Sequence, residues 1–209
     1  LDVRDPAQVR GLVDRAVRDT GRLDIMVNNA GLSHPAPILD GDPEEWRAMF
    51  ETNVVALLTG CQAAVRAMRK CGAQGQIVNI SSIAAQRPDS GVYGSTKHAV
   101  NCISATLRRE LEDDSIRVVN VMPGAIARNF GRNFYPKVIA GIIGASGVKV
   151  DFERGDRLPD EVLEKAQPLL RKLLGSADDV ANAVLYAVTQ PIDVNIADIV
   201  VRPPKGLNL

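Results

Sequence analysis

The feature that most constrains the fold of this chain is a regular alternation of short apolar runs with longer segments of helical periodicity. Helices are predicted where apolar residues recur every third or fourth position, over 5–21, 43–70, 92–111, 159–174 and 176–189. Strands are predicted at the short apolar runs 23–27, 76–80, 116–121 and 196–201. Strands that alternate with helices in this way predict an α/β fold, with a parallel sheet covered by helices on both faces.

Small and polar residues follow three of the predicted strands directly. They are Asn28-Asn29, Ser81-Ser82 and Pro123-Gly124. Right-handed crossovers place the carboxyl ends of parallel strands on one edge of a sheet, which is where such sheets bind their ligands. The sequence therefore predicts a ligand site at this edge.

Charge and composition exclude several classes of protein. The 25 Lys and Arg residues balance the 25 Asp and Glu residues, which argues against a strongly basic nucleic-acid binder. No uninterrupted apolar run approaches the roughly 20 residues of a membrane-spanning helix. The three cysteines lie far apart and only two histidines occur, so we expect a reducing, cytoplasmic location and no metal site.

Tyr93 and Lys97 are four positions apart on a predicted helix, so their side chains share one face. A protonated lysine near a phenol favours the phenolate and lowers the pKa of the tyrosine, which can then act as a general acid or base. The spacing also occurs by chance, and a solvated helix face is the alternative. Ser82 can donate to a substrate oxygen or merely cap the turn after its strand.

Two asparagine positions also have two interpretations each. Asn53 lies inside the predicted helix 43–70, where asparagine competes for backbone hydrogen bonds. It is either an exposed, tolerated residue or an amide that perturbs the helix and holds a water. The stretch from Asn28 to Gly31 is either a plain turn or a set of small residues against which a flat ligand packs.

Taken in order, these residues resemble the short-chain dehydrogenase/reductase family of the YxxxK type. The resemblance rests on Asp2, Asn28-Asn29-Ala30-Gly31, Asn53, Asn79-Ile80-Ser81-Ser82, Tyr93-Gly94-Ser95-Thr96-Lys97 and Pro123-Gly124. It covers the whole chain and implies a Rossmann-like, doubly wound parallel sheet. The resemblance further implies one domain over 1–209, with a variable substrate loop or lid over 125–175.

The resemblance implies an NAD(P)-dependent oxidoreductase that interconverts a carbonyl and an alcohol on a small molecule. Tyr93 would be the general acid in reduction and the general base in oxidation. Lys97 would lower the pKa of Tyr93 and bind the nicotinamide ribose. Ser82 would orient the substrate oxygen, and Asn53 would hold a water that links Lys97 to solvent.

The resemblance also assigns residues to the dinucleotide, NAD or NADP. Asp2 and Val3 would contact the adenine. Asn28, Ala30 and Gly31 would line the side of the adenosine ribose. The residues that would flank the nicotinamide are Pro123, Gly124 and Ile126.

This chain departs from the family pattern in three places. The TGxxxGxG turn that holds the pyrophosphate does not occur, so we expect only the fourth to seventh strands of the family's sheet. Ser82 precedes Tyr93 by 11 positions, about two fewer than usual, which leaves Ser81 as the alternative to Ser82. Arg128 stands where the family often has a threonine.

Two further expectations concern function and assembly. A cofactor-sensing or scaffold protein without catalysis, or an inactive fragment of the enzyme, is the alternative to an active oxidoreductase. The family usually assembles through its two long helices, here near 43–70 and 92–111. We therefore expect a homodimer or homotetramer.

Overall fold

The protein is described here from a computed structural model. The described residues are 1–126, 136–144, 147–148, 151, 153, 155–156 and 158–204. They contain one sheet of four parallel strands in the order β1-β2-β3-β4. The strands are β1 (Ile25–Asn28), β2 (Gly75–Ile80), β3 (Ile116–Pro123) and β4 (Asp198–Val201). The predicted α/β fold with a parallel sheet is thus confirmed.

Helices connect these strands, as the periodicity predicts. They are α1 (Pro6–Thr20), α2 (Pro43–Phe50), α3 (Ala56–Cys71), α4 (Gly91–Glu110), α5 (Pro136–Gly144), α6 (Asp160–Leu173) and α7 (Ala177–Val188). A π-helical stretch, Glu51–Val55, joins α2 to α3, where the sequence predicts one regular helix. Helix α6 continues past Pro168, at which the sequence predicts a kink.

Capping residues explain where the helices begin and end. The Asp5 carboxylate accepts hydrogen bonds from the backbone N–H groups at the start of α1, and Pro6 occupies the first helical position. Gly21 ends α1 with a φ of 82°, a conformation that glycine adopts without steric cost. Ser176 and Asp179 form a capping box at the start of α7.

The two faces of the sheet have separate apolar cores. Met26, Ile77 and Val118 are aligned across three strands and pack with α3 and α4. On the opposite face, Val78 and Val119 pack against α7. Strand β1 is covered on the first face only, because Ile25 and Val27 on its other face are 45% and 41% exposed.

The segment Pro43–Cys71 is long and apolar enough to cross a membrane by length and composition, although it contains no uninterrupted apolar run of that length. Half of its most apolar window is buried inside the protein. Leu57, Ala64 and Met68 of α3 belong to the core beneath the sheet. The central helix of a globular core meets the same criteria.

Helices α5 and α6 lie in the segment for which the sequence predicts a lid. They share a small core of their own, which includes Ile143, Leu158 and Ala166. Ile126 pairs with Gly175 in an isolated parallel bridge, and the Gly175 N–H donates to the Ala125 carbonyl at 2.9 Å. The two ends of the segment are therefore held side by side. Arg128 lies outside the described residues.

Candidate active site

Tyr93 and Ser82 meet at the carboxyl edge of the sheet. Tyr93 lies in the first turn of α4, and Ser82 follows the end of β2. Their side-chain hydroxyl groups are hydrogen-bonded to each other. The Ser82 hydroxyl also accepts from the Ala84 N–H at 3.1 Å, so it caps the turn and faces the phenol at once. Tyr93 is partly exposed, which leaves it accessible to a ligand.

Lys97 lies beside the Tyr93 ring, one helical turn further along α4. Its Nζ is 5.8 Å from the ring centroid and donates to the Ile80 carbonyl at 2.9 Å. The residue is only 4% exposed. Among the described residues, Ile80 is the only hydrogen-bond acceptor of the ammonium, which has three hydrogens to donate. Within this part of the chain, two hydrogens of the ammonium have no acceptor and can be donated to a ligand.

Burial shifts both titratable groups toward their neutral forms. It raises the pKa of Tyr93 to about 12, and the hydrogen bond from Ser82 opposes that rise. Burial likewise lowers the pKa of Lys97 to about 8. The net shift of the Tyr93 pKa is upward because the loss of solvation outweighs the hydrogen bond from Ser82. That Lys97 favours the phenolate stays a prediction. At neutral pH, Tyr93 thus carries its proton and Lys97 its charge.

Asn53 connects the π-helical stretch to two other parts of the site. Its Oδ1 accepts from the Leu32 N–H at 2.8 Å, and its Nδ2 donates to the Leu32 carbonyl at 2.8 Å. Nδ2 also donates at 3.0 Å to Oγ1 of Thr96, the residue that precedes Lys97 on α4. With 1% exposure, Asn53 is not the solvent-exposed residue of the first interpretation. Both amide hydrogens are used within the protein, so a water held by Asn53 must bind one of its oxygen atoms.

Asn28 turns its side chain into the layer between the sheet and α3. Its Nδ2 donates to Asn79 Oδ1 at 2.9 Å and lies 3.3 Å from Cys61 Sγ. The side-chain donors of Asn28 are therefore engaged inside the fold. That Asn28, Ala30 and Gly31 line the adenosine ribose stays a prediction.

Asp2 and Val3 precede α1. The Asp2 carboxylate forms an ion pair with Arg4 at 2.7 Å, and both side chains are about half exposed. Hydrogen bonds from the side chain and the backbone N–H of Arg4 lower the pKa of Asp2 to about 2.

Pro123, Gly124 and Ile126 follow β3 at the same edge. The Gly124 N–H donates to the Val201 carbonyl at 2.7 Å, and a Cβ on Gly124 would lie 2.9 Å from the Cβ of Arg202. Only glycine therefore lets β3 and the end of β4 approach this closely. The same Cβ position is 3.6 Å from Ile83, the residue after Ser82, so this turn adjoins the Ser82 side of the site.

Comparisons with known proteins place this arrangement in a family. The sequence profile of the short chain dehydrogenases matches residues 1–138. The chain is 31% identical over 208 residues to sulfoacetaldehyde reductase 2 of Chromohalobacter salexigens, covering 98% of this chain and 73% of the relative. It is 37% identical over 187 residues to an uncharacterized oxidoreductase of Methylorubrum extorquens, covering 88% and 66%.

A solved structure gives the same result. The closed form of serine dehydrogenase complexed with NADP⁺ is similar with a TM-score of 0.75 and 30% identity, over 100% of this chain and 78% of that one. The chain belongs to the short-chain dehydrogenase family. It is therefore an oxidoreductase of a family that depends on NAD or NADP, as the sequence motifs predict.

Proposed function

We propose that this protein interconverts a carbonyl and an alcohol on a small molecule by hydride transfer, with Tyr93 as the general acid and base. The observation that carries the proposal is the hydrogen bond between Tyr93 and Ser82, with the buried Lys97 ammonium 5.8 Å from the ring. Relatives named as a sulfoacetaldehyde reductase and a serine dehydrogenase support a substrate of this chemical class.

The roles of the side chains follow from their chemistry. When bound, the dinucleotide supplies the hydride for reduction or accepts it in oxidation. A carbonyl oxygen seated against both hydroxyls accepts a hydrogen bond from Ser82, which stabilises the negative charge that develops on that oxygen. Tyr93 then donates its proton to the oxygen to give the alcohol. In oxidation, the Tyr93 phenolate removes the proton from the alcohol.

Lys97 fits a ribose at this site. The two N–H groups for which the described residues hold no acceptor match the two hydroxyl oxygens of a nicotinamide ribose. Its positive charge also stabilises the phenolate that Tyr93 becomes after it gives up its proton. We assign the remaining dinucleotide contacts to residues at the same edge or before α1: Asp2, Val3, Asn28, Ala30, Gly31, Pro123, Gly124 and Ile126.

We extend the proposal to the surroundings of the site. Residues 125–175 form the lid over the substrate, supported by the separate core of α5 and α6 and by the bridge between Ile126 and Gly175. Closure of such a segment excludes water from the reaction. A cytoplasmic location is supported by the free thiols of Cys61, Cys71 and Cys102.

Replacing Tyr93 by Phe tests the catalytic role. Tyr93→Phe removes the proton donor and keeps the ring, so we expect turnover to fall by about 10²–10⁴-fold while the fold is retained. The measurement is oxidation of NADH and NADPH with a panel of aldehydes and ketones. Tyr186→Phe is the matched control, because Tyr186 is 56% exposed on α7.

Equal turnover in Tyr93→Phe and the wild type contradicts the mechanism. Dinucleotide binding by the wild type with no turnover on any substrate in the panel contradicts the activity itself. That second result supports the sensor or scaffold alternative, and failure to bind either dinucleotide supports an inactive fragment.

A further inference from the structure

Ser81 precedes Ser82 and turns away from the phenol into the interface between the sheet and α4. The residue is 3% exposed. Its hydroxyl lies 2.6 Å from Asn101 Oδ1 and 3.2 Å from the Lys97 carbonyl oxygen, so one hydrogen is shared between two acceptors on α4. These acceptors are one helical turn apart. Ser81 is therefore hydrogen-bonded to both ends of one turn of α4, at Lys97 and at Asn101.

That turn is the one that begins at Lys97. The Lys97 ammonium donates to the carbonyl of Ile80, while its backbone carbonyl accepts from Ser81, the next residue of the chain. Lys97 is thus attached at both ends to two consecutive residues at the end of β2. Ser82 comes directly after them and presents its hydroxyl to Tyr93.

Asn101 is itself held from behind by the sheet. Asn120 on β3 donates from Nδ2 to Asn101 Oδ1 at 3.0 Å and to Asp198 Oδ1 on β4 at 2.9 Å. Asn120 is 1% exposed. The acceptor that Ser81 binds is therefore fixed by two further strands, and Ser81 closes a buried network that runs from β4 to the turn of Lys97.

We propose that Ser81 is a positioning residue for the reaction, which sets helix α4 against the end of β2 so that Lys97 and Tyr93 stay aligned with Ser82. The proposal rests on the function proposed above. Ser81 acts through other residues, because it is buried and its hydroxyl hydrogen is committed to α4. A displacement of the order of 1 Å at a catalytic group can cost about 10²-fold in rate. Loss of the hydrogen bonds that Ser81 makes to α4 is therefore expected to slow the reaction.

Ser104 provides a matched control within the same two elements. It is a fully buried serine of α4, and its hydroxyl accepts from Asn79 Nδ2 of β2 at 3.0 Å. Like Ser81, it joins β2 to α4 by a buried side-chain hydrogen bond. It lies seven positions beyond Lys97 in the chain, away from the turn that Ser81 grips.

The first experiment compares Ser81→Ala, Ser81→Thr and Ser104→Ala in the purified protein. We expect both alanine variants to lose similar stability in urea denaturation. We expect kcat to fall about tenfold or more in Ser81→Ala only, with Ser81→Thr restoring most of it, because threonine keeps the hydroxyl. Equal kcat losses in the two alanine variants, or no recovery in Ser81→Thr, overturn the proposal.

A second readout needs no turnover and so separates this proposal from the proposed function. The side chain of Lys97 is titrated by ¹³C NMR of labelled lysine, with Lys97→Met identifying the signal. We expect Ser81→Ala to move the midpoint upward, because a loosened turn lets water reach the ammonium. Ser104→Ala leaves the midpoint in place. Identical midpoints in Ser81→Ala and the wild type overturn the positioning role.

If Ser81→Ala does not fold, Asn101→Ala replaces it. This variant removes the acceptor from α4 and leaves β2 untouched. We expect the Lys97 midpoint to move upward and kcat to fall, as in Ser81→Ala. Both effects should be smaller, because the Lys97 carbonyl still accepts from Ser81. A wild type without turnover, together with a shifted midpoint in either variant, rejects the proposed function and retains the positioning role.

Discussion

At the scale of the residue, burial is the largest cause of the pKa shifts of Tyr93 and Lys97. Tyr93 and Lys97 share a helix face, as their spacing predicts, yet burial moves their pKa values in opposite directions. The result is a phenol that keeps its proton at neutral pH and an ammonium that loses its charge at mildly alkaline pH. A protonated phenol is the form that the proposed reduction needs, because Tyr93 would donate its proton to the carbonyl oxygen.

The lowered pKa of Lys97 makes stability depend on pH. Its ordinary value is 10.5 and its value in the fold is about 8. Between these values the unfolded chain binds more protons than the folded chain, so the free energy of unfolding rises with pH in this window. In the wild type we expect the free energy of unfolding to rise by at most about 3 kcal/mol across this window. Lys97→Met should not show this rise.

Urea denaturation from pH 7 to about pH 10 measures this difference. Above about pH 10 the raised pKa of Tyr93 acts in the opposite direction, because the folded chain then binds the extra proton. Lys70→Met removes an exposed lysine of α3 and serves as the control. A wild-type rise that persists unchanged in Lys97→Met contradicts the assignment.

At the scale of the element, the π-helical stretch Glu51–Val55 has a clear partner. Asn53 binds both backbone groups of Leu32, so one side chain satisfies an N–H and a carbonyl of the loop after β1. The same amide reaches Thr96 on α4. A loop, a widened helical turn and the catalytic helix are therefore held together by three hydrogen bonds from one residue.

Replacing Asn53 by Ala removes all three bonds. We expect the free energy of unfolding to fall by about 2–4 kcal/mol, because the Leu32 backbone groups lose their partners. Hydrogen exchange at the Leu32 amide should accelerate as well. Thr59→Ala is the control on α3, because within the described residues the Thr59 hydroxyl donates to the Val55 carbonyl of the adjoining π-helical stretch and to no other group. Similar losses in the two variants contradict this account.

Local sequence signals predict the helices and strands well, but they do not predict the side-chain contacts between them. The caps Asp5 and Ser176 mark helix starts because capping depends on neighbours in the chain. Asn53 indicates a perturbed helix, but the partner of its side chain, Leu32, is 21 positions away in the chain and is not predicted by local signals. The hydrogen bond from Ser81 to Asn101 is not predicted either, because the two residues are 20 positions apart in the chain. The motif spacing identifies Tyr93 and Lys97, but the network behind them requires the sheet.

At the scale of the whole molecule, large apolar side chains stay exposed at several places within the described residues, and two of these places bear on assembly. One lies on the helix from α2 to α3, where Phe50, Val55 and Leu58 are 41%, 49% and 46% exposed. The other is the outer face of β1, with Ile25 and Val27. Exposed apolar surface of this kind marks protein contacts. We propose that the helical surface supports the homodimer or homotetramer that the family resemblance implies.

Two charge substitutions distinguish the two surfaces. We expect Leu58→Glu to convert the oligomer to a monomer by light scattering at micromolar concentration, because a carboxylate would be buried in the contact. Val27→Glu should retain the oligomer. A wild-type monomer rejects the assembly, and an oligomer lost only in Val27→Glu moves the contact to the edge of the sheet.

The row of polar side chains across the sheet has a consequence for folding. Asn28, Asn79, Asn120 and Asp198 are aligned on four successive strands, and all lie on the face that α3 and α4 cover. Side chains alternate between faces, so a strand that slipped by one residue would bury its amide among the valines packed on α7. Each such error leaves a polar group without partners in an apolar layer. The row therefore favours the native register over any register shifted by one residue, and with it the alignment of the strand ends that form the site.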